Sequence, residues 1–165
     1  MKVMITGGEK FKLWRTRNDY GLEEINSIIQ AGISDVAMSF WCSGTTIPRP
    51  AYKKRIYEWS KRISVAGRHK LVISVNDWRV QSYLNVYCGE ALRLWRFRNG
   101  KMTTRELAKM VGCSHTTIIK IENGDMPSDE MANKIDYATS GFLTREHWLE
   151  ELKYISGEIK DDNSD

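Results

Sequence analysis

The sequence predicts an all-α protein made of two small helical modules in tandem. Three observations carry that expectation. A pair of short amphipathic helices with a tight break between them occupies Thr103 to Pro127. A faint internal repeat recurs at a spacing of about eighty residues. The stretches with strand character, Met1–Thr6 and Lys70–Val75, are short, so a β segment is expected at most in a connector.

Within TTRELAKMVGCSHTTIIKIENGDMP, Leu107 and Val111 share one helical face, and Ile118 and Ile121 share a face of a second helix. Gly112-Cys113-Ser114 lies between them, with glycine supplying the turn and Ser114 the N-cap. Ala108 is small where two helices must approach closely. Asn123-Gly124, with Pro127 just beyond, ends the second helix. Two helices joined in this way form a helix-turn-helix, whose second helix enters the major groove of DNA. The outward positions of that helix are His115, Thr116, Ile119, Lys120 and Asn123.

The run ELAKMVGCSHTTIIKIENGDMPS resembles the helix-turn-helix of the lambda-repressor-like family, the Cro/repressor or xenobiotic-response-element type, in which ELA…G.S…I…E.G…P recurs. Downstream, Met131, Ala132 and Ile135 followed by ATSGFLTREHW fit the version of the family that closes with a Thr-x-Gly turn. The resemblance covers Leu92 to about Trp148. It implies a structural arginine–glutamate pair between Glu122 and either Arg96 or Arg98, and it makes Gly112 a structural turn residue. It places His115, Thr116, Lys120 and Ile119 at base edges, and Thr104, Ser114, Thr117 and Asn123 at phosphates. The chemistry agrees. Thr104 opens a helix, where amide donors point outward and favour an anion. Lys120 can donate to guanine O6 or N7, and Ile119 or the Thr116 methyl can press on a thymine methyl. Lys120 can equally meet a phosphate, and the alternative for His115 is a solvated surface residue.

Leu13-Trp14-Arg15 matches Leu94-Trp95-Arg96, and Arg17-Asn18 matches Arg98-Asn99, both at an offset of 81. Gly32-Ile33-Ser34 matches Gly112-Cys113-Ser114, and Gly44 matches Gly124, at an offset of 80. Pro48 and Pro127 follow at 79. Residues 1–66 are therefore expected to be a divergent helix-turn-helix copy, 67–90 a connector with a dimerisation role, 91–157 the DNA-binding domain and 158–165 an acidic disordered tail. The first copy differs where DNA would be read. Asp35, Val36 and Phe40 replace His115, Thr116 and Lys120, and Cys42 replaces Glu122. Phe40 and Trp41 are adjacent and cannot both enter one small core, so with Trp148 they are candidates for a protein-partner patch. Arg49, Lys53, Lys54 and Arg55 form either an accessory contact to the DNA backbone or a solvated helix face.

Leu71–Val75, if a strand, needs an edge partner, either Met1–Thr6 or the same segment of a second chain. DWRVQSYLNVYCGEALRLW reads as helix, with Trp78, Tyr83, Leu84 and Tyr87 on an aromatic face. Thr144 caps a last helix in which Trp148, Leu152 and Ile155 recur at helical spacing.

The 25 Lys and Arg against 21 Asp and Glu give a net charge of +4. Residues 157–165 hold one lysine and four acids, so the preceding body carries +7, which suits a polyanionic partner. The three cysteines have no CxxC spacing, so free thiols in a reducing cytoplasm are expected rather than zinc or disulfides. No stretch approaches the roughly 18–20 apolar residues of a membrane span. No nucleophile–base constellation, phosphate loop or metal-ligand spacing is present in the sequence, so no enzyme, cofactor or metal is expected. The expected function is transcription regulation in the nucleoid. The protein would be a repressor from a bacteriophage or mobile element, acting as a homodimer on an inverted repeat in double-stranded DNA. The alternatives are an antitoxin or partner-binding adaptor with secondary DNA binding, and a DNA-bending excision factor.

Overall fold

The computed structural model describes residues 1–29, 32–63, 71–79 and 81–156. The expected acidic tail, and the start of the connector at residues 67–70, lie outside the described residues. The elements run β1 (Lys2–Ile5), α1 (Gly7–Arg17), α2 (Leu22–Ile28), α3 (Asp35–Cys42), α4 (Pro50–Arg62), a 3-10 turn (Asn76–Trp78), β2 (Ser82–Asn85), α5 (Cys88–Arg98), α6 (Thr104–Val111), α7 (His115–Glu122), α8 (Asp129–Ala138) and α9 (Arg145–Ile155). The protein is mostly helical, with one two-stranded sheet of β1 and β2. It divides into two compact units, Met4–Leu84 and Met1–Val3 with Asn85–Asp165.

In the N-terminal unit, α1 begins at Thr6, whose Oγ1 accepts from the Glu9 amide while Glu9 accepts from the Thr6 amide. Phe11, Trp14, Ile25, Met38 and Ile56 are fully buried and form the core. The Arg55 guanidinium donates to the Ile29 carbonyl at 2.9 Å, tying α4 to the end of α2. Ser60 Oγ accepts the Ile73 amide at 3.0 Å, fixing the extended Leu71–Val75 segment against α4.

Several expectations for this region are corrected. Leu71–Val75 forms no strand, and the partner of β1 is Ser82–Asn85. Asp77 to Trp95 is not one helix but a 3-10 turn, a strand and the start of α5. The apolar pattern there serves two elements, so Trp78 packs on Phe11 at 5.6 Å between ring centroids while Tyr83 is exposed. Trp41 is buried against Tyr52, so of the adjacent aromatic pair only Phe40 faces solvent. Lys53 is buried and leaves the basic cluster; Arg49, Lys54 and Arg55 are exposed.

In the C-terminal unit, Leu92, Leu94, Leu107, Ile118, Ile135, Leu143 and Trp148 are the core. Trp148 is 3% exposed and cannot belong to a partner patch; it closes this core. Leu152 and Ile155, one and two turns further along α9, are exposed, so the buried face does not extend to them. The inward position next to Trp148 is taken by Glu151, whose carboxylate accepts the Cys88 amide at the start of α5. His147 Nδ1 accepts the Thr144 amide at 3.1 Å, closing the cap of α9.

Helix for helix, the units have matching parts. α1 and α5 are both 11 residues long, and α3 and α7 both 8. Positive φ falls at Asp19 and Gly100, at Gly32 and Gly112, and at Gly44 and Gly124. Ser34 caps α3 through the Ala37 amide as Ser114 caps α7 through that of Thr117.

Candidate nucleic-acid interface

The two helices of the site are set by local chemistry. Thr103 Oγ1 accepts the Glu106 amide at 3.2 Å, and Glu106 accepts the Thr103 amide at 2.6 Å. The bond donated by the Thr103 amide, and after it the one donated by the Thr103 hydroxyl, hold the Glu106 carboxyl below its ordinary range. α6 ends at Gly112 with φ of +73°, a left-handed residue that glycine adopts without steric cost. Cys113 follows, and Ser114 restarts the chain as α7, its Oγ 2.7 Å from Thr116 Oγ1 and 2.8 Å from Thr117 Oγ1. Leu107, Ala108 and Val111 of α6 and Ile118 and Ile121 of α7 are buried, which leaves the opposite side of α7 to solvent.

That side carries what the sequence assigned to it. His115, Thr116, Ile119, Lys120 and Asn123 are exposed, as is Ser114, and Thr104 and Thr117 are half-buried. Thr116 and Lys120 lie one turn apart, so a solvent-facing row of donors with the Ile119 methyls beside it projects from one helix. Thr104 is the first residue of α6, where the backbone amide has no intrahelical acceptor.

The far end of α7 is clamped. Glu122 is buried and accepts from Arg96 Nε at 2.7 Å and from Arg96 Nη2 at 2.9 Å. Arg96 Nη1 donates to the Met102 carbonyl at 2.6 Å. Between the two arginines the sequence left open, the structural partner is therefore Arg96. The sequence reading missed a second clamp. Arg93 donates to Glu122 Oε2 at 3.3 Å, to the Glu122 carbonyl at 3.1 Å and to Asn123 Oδ1 at 2.8 Å. Its position one helical turn before Arg96 was the available signal.

The N-terminal unit keeps the cations without the acid. Arg15 Nη1 donates to the Tyr20 carbonyl at 2.7 Å, as Arg96 does to Met102, but Arg15 Nε is buried with no partner among the described residues. At the sequence offset of 80, Cys42 aligns with Glu122. Burial pushes its thiol up, with Arg15 and Lys12 pulling the other way. Substituting Cys42→Glu is expected to raise the stability of this unit by about 1 kcal/mol, the net worth of a charge-assisted hydrogen bond less the strain of a longer side chain. Urea unfolding of the variant checks it.

A buried arginine–glutamate clamp, a left-handed glycine between two short helices and a polar exposed second helix define a DNA-binding helix-turn-helix of the Cro/C1 type. Comparison with family models agrees: residues 96–136 match the helix-turn-helix family. No curated protein and no solved structure matches the chain. The protein is a transcription regulator that binds double-stranded DNA through this segment. No described helix is long and apolar enough to cross a membrane. Among the described residues, Cys42 and Cys88 are buried free thiols and Cys113 a half-buried one, and no cluster of metal-ligating side chains occurs.

Proposed function

We propose that the protein is a sequence-specific repressor of the kind phages and mobile elements encode, acting as a homodimer on an inverted repeat. The observation that carries the reading is the row His115, Thr116, Ile119 and Lys120 on the solvent side of a helix whose two ends are fixed. Pre-organisation matters because base discrimination depends on holding donors in register with the groove. Thr104, Ser114 and Thr117 sit where phosphates on either side of the groove would be held, together with Asn123. Asn123 already engages Arg93, so it would act from a braced position.

The N-terminal unit is a diverged second copy in this reading, supported by the matched helix lengths and left-handed positions. Its α3 exposes Val36 at 62% and Phe40 at 46% where α7 exposes Thr116 and Lys120. Such a face suits protein contact better than a DNA groove, which favours the homodimer or an adaptor role for this unit. Arg49, Lys54 and Arg55 are the remaining candidates for phosphate contact there, although Arg55 is also spent on the Ile29 carbonyl.

Lys120→Ala and Thr116→Ala are each expected to weaken binding to a selected operator by about 1–3 kcal/mol, and Asp35→Ala by much less. The measurement is a salt-controlled titration on the best fragment recovered from random duplex DNA. If Asp35→Ala costs as much as Lys120→Ala, the reading module has been placed in the wrong unit.

A further inference from the structure

Asn123 closes α7, and its side chain is held from another helix. Its backbone amide donates to the Ile119 and Lys120 carbonyls, each at 3.0 Å, which finishes α7. Its Oδ1 accepts from Arg93 Nη2 at 2.8 Å, and the same nitrogen donates to the Glu122 carbonyl at 3.1 Å. Arg93 Nε reaches Glu122 Oε2 at 3.3 Å, so three acceptors from two successive residues fix the guanidinium plane. The Arg93 side chain is only 16% exposed, whereas Asn123 is exposed.

That arrangement fixes the polarity of the Asn123 amide. A guanidinium only donates, so the atom turned to it must be the oxygen. Nδ2, on the other branch of the same planar group, is thereby turned away from Arg93. A cation on Oδ1 also weakens it as an acceptor. The bidentate pairing with adenine, which needs Oδ1 and Nδ2 together, is disfavoured. Donation to a phosphate oxygen is favoured, since a phosphate contact asks only for a donor. Without the guanidinium the amide could turn over about its last torsion and present an oxygen instead. The N-terminal unit is built differently here. At offsets of 81 and 80, Lys12 aligns with Arg93 and Ser43 with Asn123, and a lysine has no planar fork. The Ser43 hydroxyl stays within its own turn, donating to the Phe40 carbonyl at 3.1 Å and lying 2.7 Å from Thr45 Oγ1.

We propose that Arg93 is a positioning residue for DNA binding, which sets Asn123 as an oriented donor to a backbone phosphate. The proposal rests on the reading of α7 as the helix that meets DNA. Arg93 acts through the amide it orients, and it also places a positive charge behind that amide. The contact it prepares adds affinity for any duplex and does not select sequence.

The test follows variants of the full-length protein by urea unfolding and by titration, at fixed salt, of a selected operator and a random duplex. Asn123→Asp pairs a carboxylate with Arg93, so it should be at least as stable as Asn123→Ala. The same change turns an anionic oxygen toward the phosphate and should bind both duplexes about tenfold more weakly than Asn123→Ala does. A purely structural role predicts that binding follows stability, so it cannot give this inversion. Arg93→Ala should weaken both duplexes about tenfold in the wild-type background, and under about threefold once residue 123 is alanine. Arg93→Lys, which keeps the charge and loses the fork, repeats the cycle if Arg93→Ala does not fold. An equal loss in both backgrounds overturns the proposal, as does Asn123→Asp binding as well as Asn123→Ala. Lys120→Ala is the reference. If it weakens operator binding while the other results fail, only the role of Arg93 falls; if it too is without effect, the DNA reading of α7 falls as well.

Discussion

Glu122→Ala is expected to destabilise the C-terminal unit by about 3 kcal/mol, the low end of what breaking a buried ion pair costs. The low end applies because the Arg96 side chain is 17% exposed and keeps its bond to the Met102 carbonyl, so water can reach part of the abandoned cation. Glu122 itself is 3% exposed at the side chain, and its two oxygens accept from Arg96 and Arg93 together. Removing it takes the shared carboxylate from both guanidiniums and leaves the end of α7 held to α5 only by the Arg93 bonds to the residue-122 carbonyl and to Asn123. Glu122→Gln keeps one acceptor oxygen and should lose less. The measurement is the urea midpoint of each variant, with operator binding followed in parallel. Affinity should fall even where the variant remains folded, since α7 loses part of its anchor while His115, Thr116, Ile119 and Lys120 are unchanged. A wild-type midpoint for Glu122→Ala would show that the clamp contributes nothing to stability.

Gly89→Ala is expected to be nearly as damaging, at about 3 kcal/mol, because it asks for overpacking against backbone. A Cβ at this position would lie 2.2 Å from the Ile121 carbonyl oxygen and 3.2 Å from two backbone atoms of Glu122. No side chain can rotate away to relieve that overlap. Either α5 or the end of α7 must move, and the same clamp is strained as a consequence. Gly8→Ala should behave alike, with the Trp41 carbonyl as the obstacle. Gly21→Ala is the control. Its nearest neighbour is the flexible Glu24 carboxylate at 3.5 Å, so the loss should stay below about 1 kcal/mol. Thermal unfolding of the three variants separates the outcomes, and tolerance of alanine at Gly89 would mean that α5 and α7 do not approach so closely in solution.

These effects show why the C-terminal unit was readable and the N-terminal one less so. Ser114, Gly112 and the Leu107, Val111, Ile118 and Ile121 pattern act through neighbours within a turn or two, so their meaning is printed in the chain. Arg93 escaped because an arginine beside an arginine declares nothing until Glu122, 29 residues away, is brought to both. Trp148, Leu152 and Ile155 misled for the opposite reason. Helical spacing fixes which residues share a side of a helix but not how far the neighbouring core extends along it, and here Glu151, an acid, takes the inward place beside Trp148 to reach the Cys88 amide. Asp77 to Trp95 was read as one helix because its apolar residues can be counted at either period. The choice of 3-10 turn, strand and helix comes from what those residues meet, namely Phe11 for Trp78 and β1 for Ser82–Asn85.

The sequence by itself determined the helix-turn-helix, the exposed edge of its second helix and the faint echo at about eighty residues. Caps, left-handed glycines and short apolar periods are local devices whose free energy does not wait for the rest of the molecule. Only the tertiary structure decided which arginines hold Glu122, which of Phe40 and Trp41 is buried, and that Glu151 reaches the Cys88 amide. Each of those depends on groups distant in sequence competing for the same few cubic ångströms or the same charge, and that competition is settled by packing.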